Sequence, residues 1–214
     1  MKIWCLFALA WGAMAASSAE AAVAVTVKSD HITCRIIPGP KRGKAEAVLS
    51  PDGHTVAYTR FAKSDDMPDG KAGSLWIGNC RTGTTHLLLP APFAGKGDAE
   101  GWVTLNRPVF SLDGRQVYVS AFYGGDSGLV QRVDLATGHH AYVMAAELAG
   151  IIRTGPYRGD LLATRHTAVE TGGSSYPYYV FSPQGAVVKR IAGSETWTEQ
   201  ARDAWLRRQG WQVR

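Results

Sequence analysis

Acidic and histidine side chains form two short groups that could hold a metal ion. Asp65, Asp66 and Asp69 stand in one polar stretch, and calcium prefers carboxylate oxygens of this kind. Their spacing is not that of an EF-hand loop, so we interpret the stretch as a solvated insertion. His139 and His140 are neighbours, and neighbouring strand residues point to opposite faces, which keeps them from sharing one metal. We therefore expect neither a metal ion nor a cofactor.

The segment Gly125-Asp126-Ser127-Gly128 has the letters found around the serine nucleophile of trypsin-type peptidases. Such a serine acts only where the fold also brings a histidine and an aspartate to it. None of the 6 histidines stands in the matching context, and the chain has no Gly-x-Ser-x-Gly motif of the hydrolase fold. We interpret the segment as a plain glycine turn and expect no catalytic residue, which makes an enzyme the less favoured class.

The first 21 residues have the three parts of a secretory signal. Lys2 supplies a positive charge, residues 3–11 are apolar, and Ala-x-Ala sequences end at Ala15 and Ala21. We expect cleavage after Ala21, or else after Ala15 or Ala19, and a periplasmic or secreted protein. An uncleaved anchor is the alternative, although the apolar run is short for a membrane span of roughly 20 residues. No later segment of the sequence could span a membrane.

Two of the three cysteines, Cys34 and Cys80, follow the signal. In an oxidising compartment such a pair can form a disulfide. The alternative is two separately buried thiols that act as small apolar side chains. The spacing of the cysteines fits no metal motif.

The net charge of +5 is mild, and its basic residues are scattered along the chain. A nucleic-acid partner requires a clustered basic face, so we expect none. Roughly 190 residues remain beyond the signal, which is enough for one domain with its own core.

The elements that would position a site are indicated by a repeated turn. Pro51 presets φ for a turn and Asp52-Gly53 closes it, between two strand-like segments. The same pattern returns at Asp113-Gly114 and, without the aspartate, at Gly159. Each of these turns is followed by a second glycine turn: Gly83, Gly138 and Gly185. The two glycines of one unit lie 30, 24 and 26 residues apart, so each unit contains two hairpins.

The repeated hairpin pairs predict an all-β protein built from four-stranded antiparallel blades. The units cover about residues 46–90, 102–144 and 151–191, a period typical of β-propeller blades. A β-sandwich also has short, regularly spaced strands, but it does not explain why the turn residues repeat. We therefore expect a partial or small β-propeller over residues 22–193, followed by a C-terminal α-helix and tail over 194–214.

The strings at residues 49–53 with 56–58, and at 110–114 with 117–119, resemble the WD-like PD repeat. That repeat occurs in TolB-type propellers and in the propeller domains of prolyl oligopeptidase-like peptidases. The resemblance covers about residues 46–191 and implies a propeller fold. Its TolB-type members further imply a partner in a cell-envelope complex. Three units are fewer than the four to eight blades of ordinary propellers.

An open stack of blades leaves apolar surfaces at its two ends, and those surfaces require capping. The strand-like residues 22–37 could cover one end or complete a partial blade. The C-terminal helix could cover the other end, with Trp197, Ala201, Ala204 and Trp205 on one face. Pairing of two chains into a homodimer is a further alternative.

Aromatic residues near loops are the candidates for a binding face: Trp102, Tyr123 and Tyr176. They lie in or near the loops that the blades would present: 62–73, 95–105, 123–128 and 167–177. Aromatic residues at such places are common anchors in protein interfaces. We therefore predict an exported, non-enzymatic binding or scaffold module that presents loops to a protein or envelope partner. The alternatives are a small propeller-based hydrolase or lyase and a self-assembling half-propeller.

Overall fold

The computed structural model describes residues 23–29, 32–39, 46–63, 71–90, 104–122, 128–169 and 172–213. These residues contain sixteen strands and one helix near the C-terminus. The expected class, all-β with a C-terminal α-helix, is therefore confirmed. No helix among the described residues has the length and apolar character that a membrane crossing requires.

The first described element is an antiparallel hairpin of two strands, β1 (Val23–Ser29) and β2 (Ile32–Gly39). The first blade then follows as a four-stranded antiparallel sheet with its strands in chain order. Its strands are β3 (Ala47–Leu49), β4 (Thr55–Lys63), β5 (Lys71–Asn79) and β6 (Thr85–Leu89).

The second blade has the same antiparallel order. Its strands are β7 (Thr104–Phe110), β8 (Gln116–Phe122), β9 (Gly128–Asp134) and β10 (His140–Ala145). The expected four-stranded antiparallel blades are thus confirmed.

The third blade carries an insertion. Its first two strands are β11 (Glu147–Ile151) and β12 (Leu161–Thr164). A small hairpin, which we call the inserted hairpin, follows as β13 (Thr167–Ala168) and β14 (Ser174–Ser175). The blade is completed by β15 (Tyr178–Phe181) and β16 (Val187–Arg190).

The third blade begins at Glu147, whereas the repeat spacing predicts a start at 151. Only Ala146 separates β10 from β11, so no glycine or proline marks the boundary in the sequence. The expected tight turn at Gly159 is also different, because residues 152–160 form a longer connection between β11 and β12. Gly159 has a φ of +97° at the end of that connection.

The first turns of the first two blades have the same hydrogen bonds. Asp52 Oδ1 accepts the His54 N–H at 2.9 Å and the Ser50 hydroxyl at 2.5 Å. Asp113 Oδ1 accepts the Arg115 N–H at 3.1 Å and the hydroxyl of Ser111 at 2.6 Å. The glycines after the two aspartates both have a φ of +71°, the left-handed conformation that glycine adopts without strain.

Neighbouring first turns also lie side by side. A Cβ on Gly114 would stand 3.4 Å from Pro51 Cδ of the first blade, and a Cβ on Gly159 would stand 3.8 Å from Leu112 Cδ1 of the second. The three turns therefore follow one another across the stack, as the alignment of the glycines predicts.

The blades pack face to face. Strand β7 contacts β3, β4 and β5 of the first blade and β11 of the third blade. The apolar cluster shared by the first and second blades includes Leu75, Phe110 and Val119. The cluster shared by the second and third blades includes Tyr118, Leu148 and Phe181. The first strands β3, β7 and β11 contact one another in sequence, as the first strands of neighbouring propeller blades do.

The outer face of the first blade contacts the N-terminal hairpin. Cys34 of β2 is fully buried against Leu49, Val56 and Tyr58 of the blade. Its sulfur is bonded to that of Cys80, and the two Cα atoms are 4.9 Å apart. The hairpin is a separate two-stranded sheet that shares no strand pairing with the blade, so the disulfide is its covalent link to this face.

The outer face of the third blade packs against the C-terminal segment. Helix α1 spans Glu199–Arg208, and the Thr198 side chain caps it by accepting the Ala201 N–H. Leu206 is buried in the cluster with the blade, and Trp197 and Trp205 are partly buried there. Ala201, which the sequence pattern places on the packed face, is exposed.

Candidate binding cleft

A cleft of about 400 Å³ lies between the second blade, the third blade and the start of α1. We call it the Tyr176 cleft. It is lined by residues from β7, β11, β12, β15, the connection between β14 and β15, the segment that leads into the helix and the start of α1: Arg107, Glu147, Ala149, Thr164, Tyr176, Tyr178, Glu195, Thr196, Trp197 and Glu199.

Arg107 stands at an irregularity of β7, where the pairing with β8 shifts between Asn106 and Val109. Its φ of +49° makes it the one residue other than glycine with positive φ in the described ranges. A conformation of this kind costs about 1–3 kcal/mol and persists where surrounding contacts impose it. The contact here is the carboxylate of Glu46, which accepts the Arg107 backbone N–H.

The guanidinium of Arg107 joins carboxylates from two further elements. It lies 2.9 Å from Glu147 at the start of β11 and 4.0 Å from Glu199 at the start of α1. Glu46 directly precedes β3, so each of the three blades brings one charged residue to this place, from its first strand or from the residue just before it. The fold therefore produces one charged cluster from residues that are far apart in the sequence.

Carboxylates outnumber cations along the cleft. Among the described residues, Glu147, Glu195 and Glu199 line it together with a single guanidinium, that of Arg107. The charge of Glu195 is neutralised by Arg190, which does not line the cleft and whose Nη2 lies 2.8 Å from Glu195 Oε1. Glu199 is the least neutralised carboxylate, because its side chain is 68% exposed and both of its arginine contacts are at 4.0 Å.

Aromatic rings form the other part of the lining. Tyr176 is 43% exposed and lies against the ring of His166, with the centroids 5.4 Å apart. Trp197 is held between Tyr178 and Trp205, at centroid distances of 6.0 and 5.3 Å. Tyr176 is therefore exposed enough to contact a ligand, whereas the ring of Trp197 is held in place by Tyr178 and Trp205.

The inserted hairpin positions Tyr176. It pairs Thr167 with Ser175, and the Ser174 hydroxyl lies 2.6 Å from His166 Nε2. Val169 at its tip is 41% exposed, so two large apolar side chains face solvent here, Val169 of the hairpin and Tyr176 directly after it.

Of the three predicted binding-face residues, the structure places Tyr176 in the cleft. Trp102 and Tyr123 lie outside the described residues, and so do loop residues 95–103 and 123–127. Asp65, Asp66, Asp69 and Ser127 also lie outside them. Among the described residues, no group of three histidine, cysteine, aspartate or glutamate side chains could hold a metal.

Sequence reasoning missed Arg107, Glu147 and Glu199 as members of a site. Arg107 and Glu147 are charged residues in the first strands of successive blades, which is the signal that could have identified them. Glu199 could be assigned only with knowledge of where the helix packs.

No protein-family model matches the chain, and no curated protein matches it. Among solved structures, it is similar to the acylaminoacyl peptidase of Pyrococcus horikoshii at 16% identity, over 64% of this chain and 23% of that one, with a TM-score of 0.46. It is also similar to the β-propeller domain of the Trilobed protease from Pyrococcus furiosus at 12% identity, over 77% and 46% of the two chains, with a TM-score of 0.46.

A putative TolB from Agrobacterium tumefaciens matches at 14% identity, over 78% of this chain and 59% of that one, with a TM-score of 0.45. The chain thus spans between 23% and 59% of the length of these three structures. The likeness concerns the fold, and the propeller-type assignment is based on the strand order and blade packing described above.

Proposed function

We propose that this chain is an exported, non-enzymatic binding module that receives a protein partner of the cell envelope at the Tyr176 cleft. The observation that carries the proposal is the 43% exposure of Tyr176, which directly follows the inserted hairpin and lines the cleft. Tyrosine is enriched among the residues that contribute most to protein–protein affinity, because it buries a large area with little loss of side-chain entropy.

The surroundings of the ring support this role. The cleft has walls from two packed blades and from a capped helix, so little backbone ordering is required when a partner binds. Val169, on the inserted hairpin that precedes Tyr176, is a second exposed apolar side chain.

Export is supported by two features of the chain. The first 21 residues have the pattern of a secretory signal. The Cys34–Cys80 disulfide suits an oxidising compartment, such as the periplasm or the exterior of the cell.

The proposal is tested with a photo-crosslinking amino acid placed at position 176 or at position 142. Tyr142 is a matched control, because it is 47% exposed and lies on the outer strand β10, outside the cleft lining. After irradiation of the producing cells, we expect a discrete covalent adduct from position 176 and none from position 142. Equal adducts from both positions, or an adduct from 142 alone, would remove the cleft from the proposal.

A hydrolase is the second candidate, and one observation favours it. The Ser174 hydroxyl lies 2.6 Å from His166 Nε2, within the range of an activated nucleophile. However, both groups are near the surface, and within the described residues no carboxylate bonds to the other ring nitrogen to orient it. Labelling of the wild type by a fluorophosphonate probe, with loss of labelling in Ser174→Ala, would favour the enzyme over the binding module.

Self-assembly through blade faces has less support. The N-terminal hairpin is fastened to the outer face of the first blade, and α1 packs on the outer face of the third. Both ends of the described stack therefore already have an apolar covering.

A further inference from the structure

The Tyr176 cleft combines exposed aromatic surface with an excess of negative charge. In the part of the chain that the structure describes, three carboxylates and one guanidinium line it, and Arg190, which is not part of the lining, neutralises one of the carboxylates. The charge facing a ligand is therefore close to −1. An arriving anion would meet this excess, and like charges brought together at an interface oppose binding.

The positive groups near the cleft are already engaged. The guanidinium of Arg107 is 2.9 Å from Glu147. The partial positive charge at the N-terminal end of α1 would favour an anion. The carboxylate of Glu199 in the first turn of the helix already occupies that favourable position. Arg202 lies 2.8 Å from Asp203. A ligand anion would thus have to displace an existing carboxylate.

We propose that the partner presents a basic side chain, lysine or arginine, to the Tyr176 cleft. Its carbon stem lies on Tyr176 and Trp197, and its cation binds the carboxylate of Glu199. Long basic side chains bind in this way elsewhere, with the stem on apolar surface and the charged group on an exposed oxygen. Their cations are also attracted to the faces of aromatic rings. This inference rests on the proposed function, because it assigns the chemistry of the partner at the same cleft.

The test uses a phage library of random heptapeptides selected on the full-length, oxidised protein. We expect lysine and arginine to be at least twofold enriched over the input library. Synthetic copies of the selected peptides should bind about three- to fivefold more weakly to Glu199→Gln and at least about tenfold more weakly to Glu199→Lys. Their affinity should also fall with added salt.

Asp134→Asn is the matched control for the loss of one negative charge. Asp134 Oδ1 accepts the N–H groups of Ala136 and Thr137, and Asn79 makes the same bonds in the first blade, so asparagine preserves the turn. This variant should bind the peptides like the wild type. Circular dichroism melting of each variant separates a loss of binding from a loss of folding.

The outcomes distinguish the inference from the proposed function. If Tyr176→Ala abolishes binding while Glu199→Lys leaves it unchanged, the cleft is retained and the basic partner is rejected. A selection without basic enrichment rejects it as well. If neither variant changes binding, or if no peptide binds the wild type, the location of the proposed function is wrong too.

Discussion

Cys34 and Cys80 join the N-terminal hairpin to the first blade across a sequence separation of 46 residues. Cys34 is fully buried, and around it lie Leu49, Val56 and Tyr58 of the outer blade face. The disulfide therefore holds a covering over an apolar surface that an open stack of blades would otherwise expose.

Removal of this disulfide should expose the outer face of the first blade to solvent. We expect Cys34→Ser with Cys80→Ser to lower the free energy of unfolding by about 2–4 kcal/mol, because the unfolded chain gains conformational freedom. Urea unfolding measures the loss, and binding of an apolar dye should rise below the unfolding transition. Wild type treated with a dithiol reductant should show the same loss of stability and the same rise in dye binding as the double variant. If stability and dye binding are unchanged, the hairpin is held by other contacts.

Gly185 tests how the second and third blades approach each other. A Cβ at this position would lie 2.1 Å from the carbonyl oxygen of Val143, and φ is +88°. Gly185→Ala should therefore cost at least about 3 kcal/mol, since the backbone strain is joined by a steric clash.

Gly83→Ala is the control, because Gly83 has a similar φ of +72° and no atom of a described residue within 4 Å of an added Cβ. It should cost about 1 kcal/mol, the strain alone. Equal losses in the two variants, measured by thermal or urea unfolding, would contradict the face-to-face contact between these blades.

The first-turn carboxylates should make stability depend on acid pH. The hydroxyl of Ser50 and the backbone N–H of His54 lower the pKa of Asp52 from its ordinary value of 3.8. Ser111 and the Arg115 N–H lower the pKa of Asp113 in the same way. Because the folded-state pKa values lie below those of the unfolded chain, this stabilisation is present above pH 3.8 and lost as the pH falls through the folded values.

The double variant Asp52→Asn with Asp113→Asn should therefore lose less stability than the wild type between pH 6 and pH 3. Both carboxylates are exposed, so we expect a difference below about 1 kcal/mol for each. Urea unfolding at several pH values gives the dependence of the free energy of unfolding on pH for the variant and the wild type. The same dependence in both proteins would contradict the lowered pKa values.

Leu206 tests the covering of the third blade. It is 5% exposed in the cluster between α1 and the blade, so Leu206→Ala should cost about 2–4 kcal/mol through the cavity that it leaves. Arg208→Ala, at an exposed position of the same helix, should change stability by less than about 0.5 kcal/mol. Similar effects of both changes would mean that the helix does not pack as described.

The blades could be predicted from the sequence because their turns are local. Asp52 and Asp113 bond to backbone groups only two residues away, so the repeated letters report directly on the repeated structure. The start of the third blade was misplaced because the prediction relied on turn residues, and the junction at Ala146 contains none.

The cleft was less accessible to sequence reasoning. Tyr176 was identified as an aromatic residue near a loop, but its charged neighbours are not local to it. Arg107, Glu147 and Glu199 come from three elements and meet through the packing of blades and helix. No single stretch of sequence contains that arrangement.

Hydrogen–deuterium exchange, with and without the partner identified by crosslinking from position 176, tests most directly whether that partner binds at the Tyr176 cleft. We predict slower exchange in residues 164–169, 172–178 and 195–199 and no change in the outer strand β10. Slower exchange on β10 with an unchanged cleft would contradict the account.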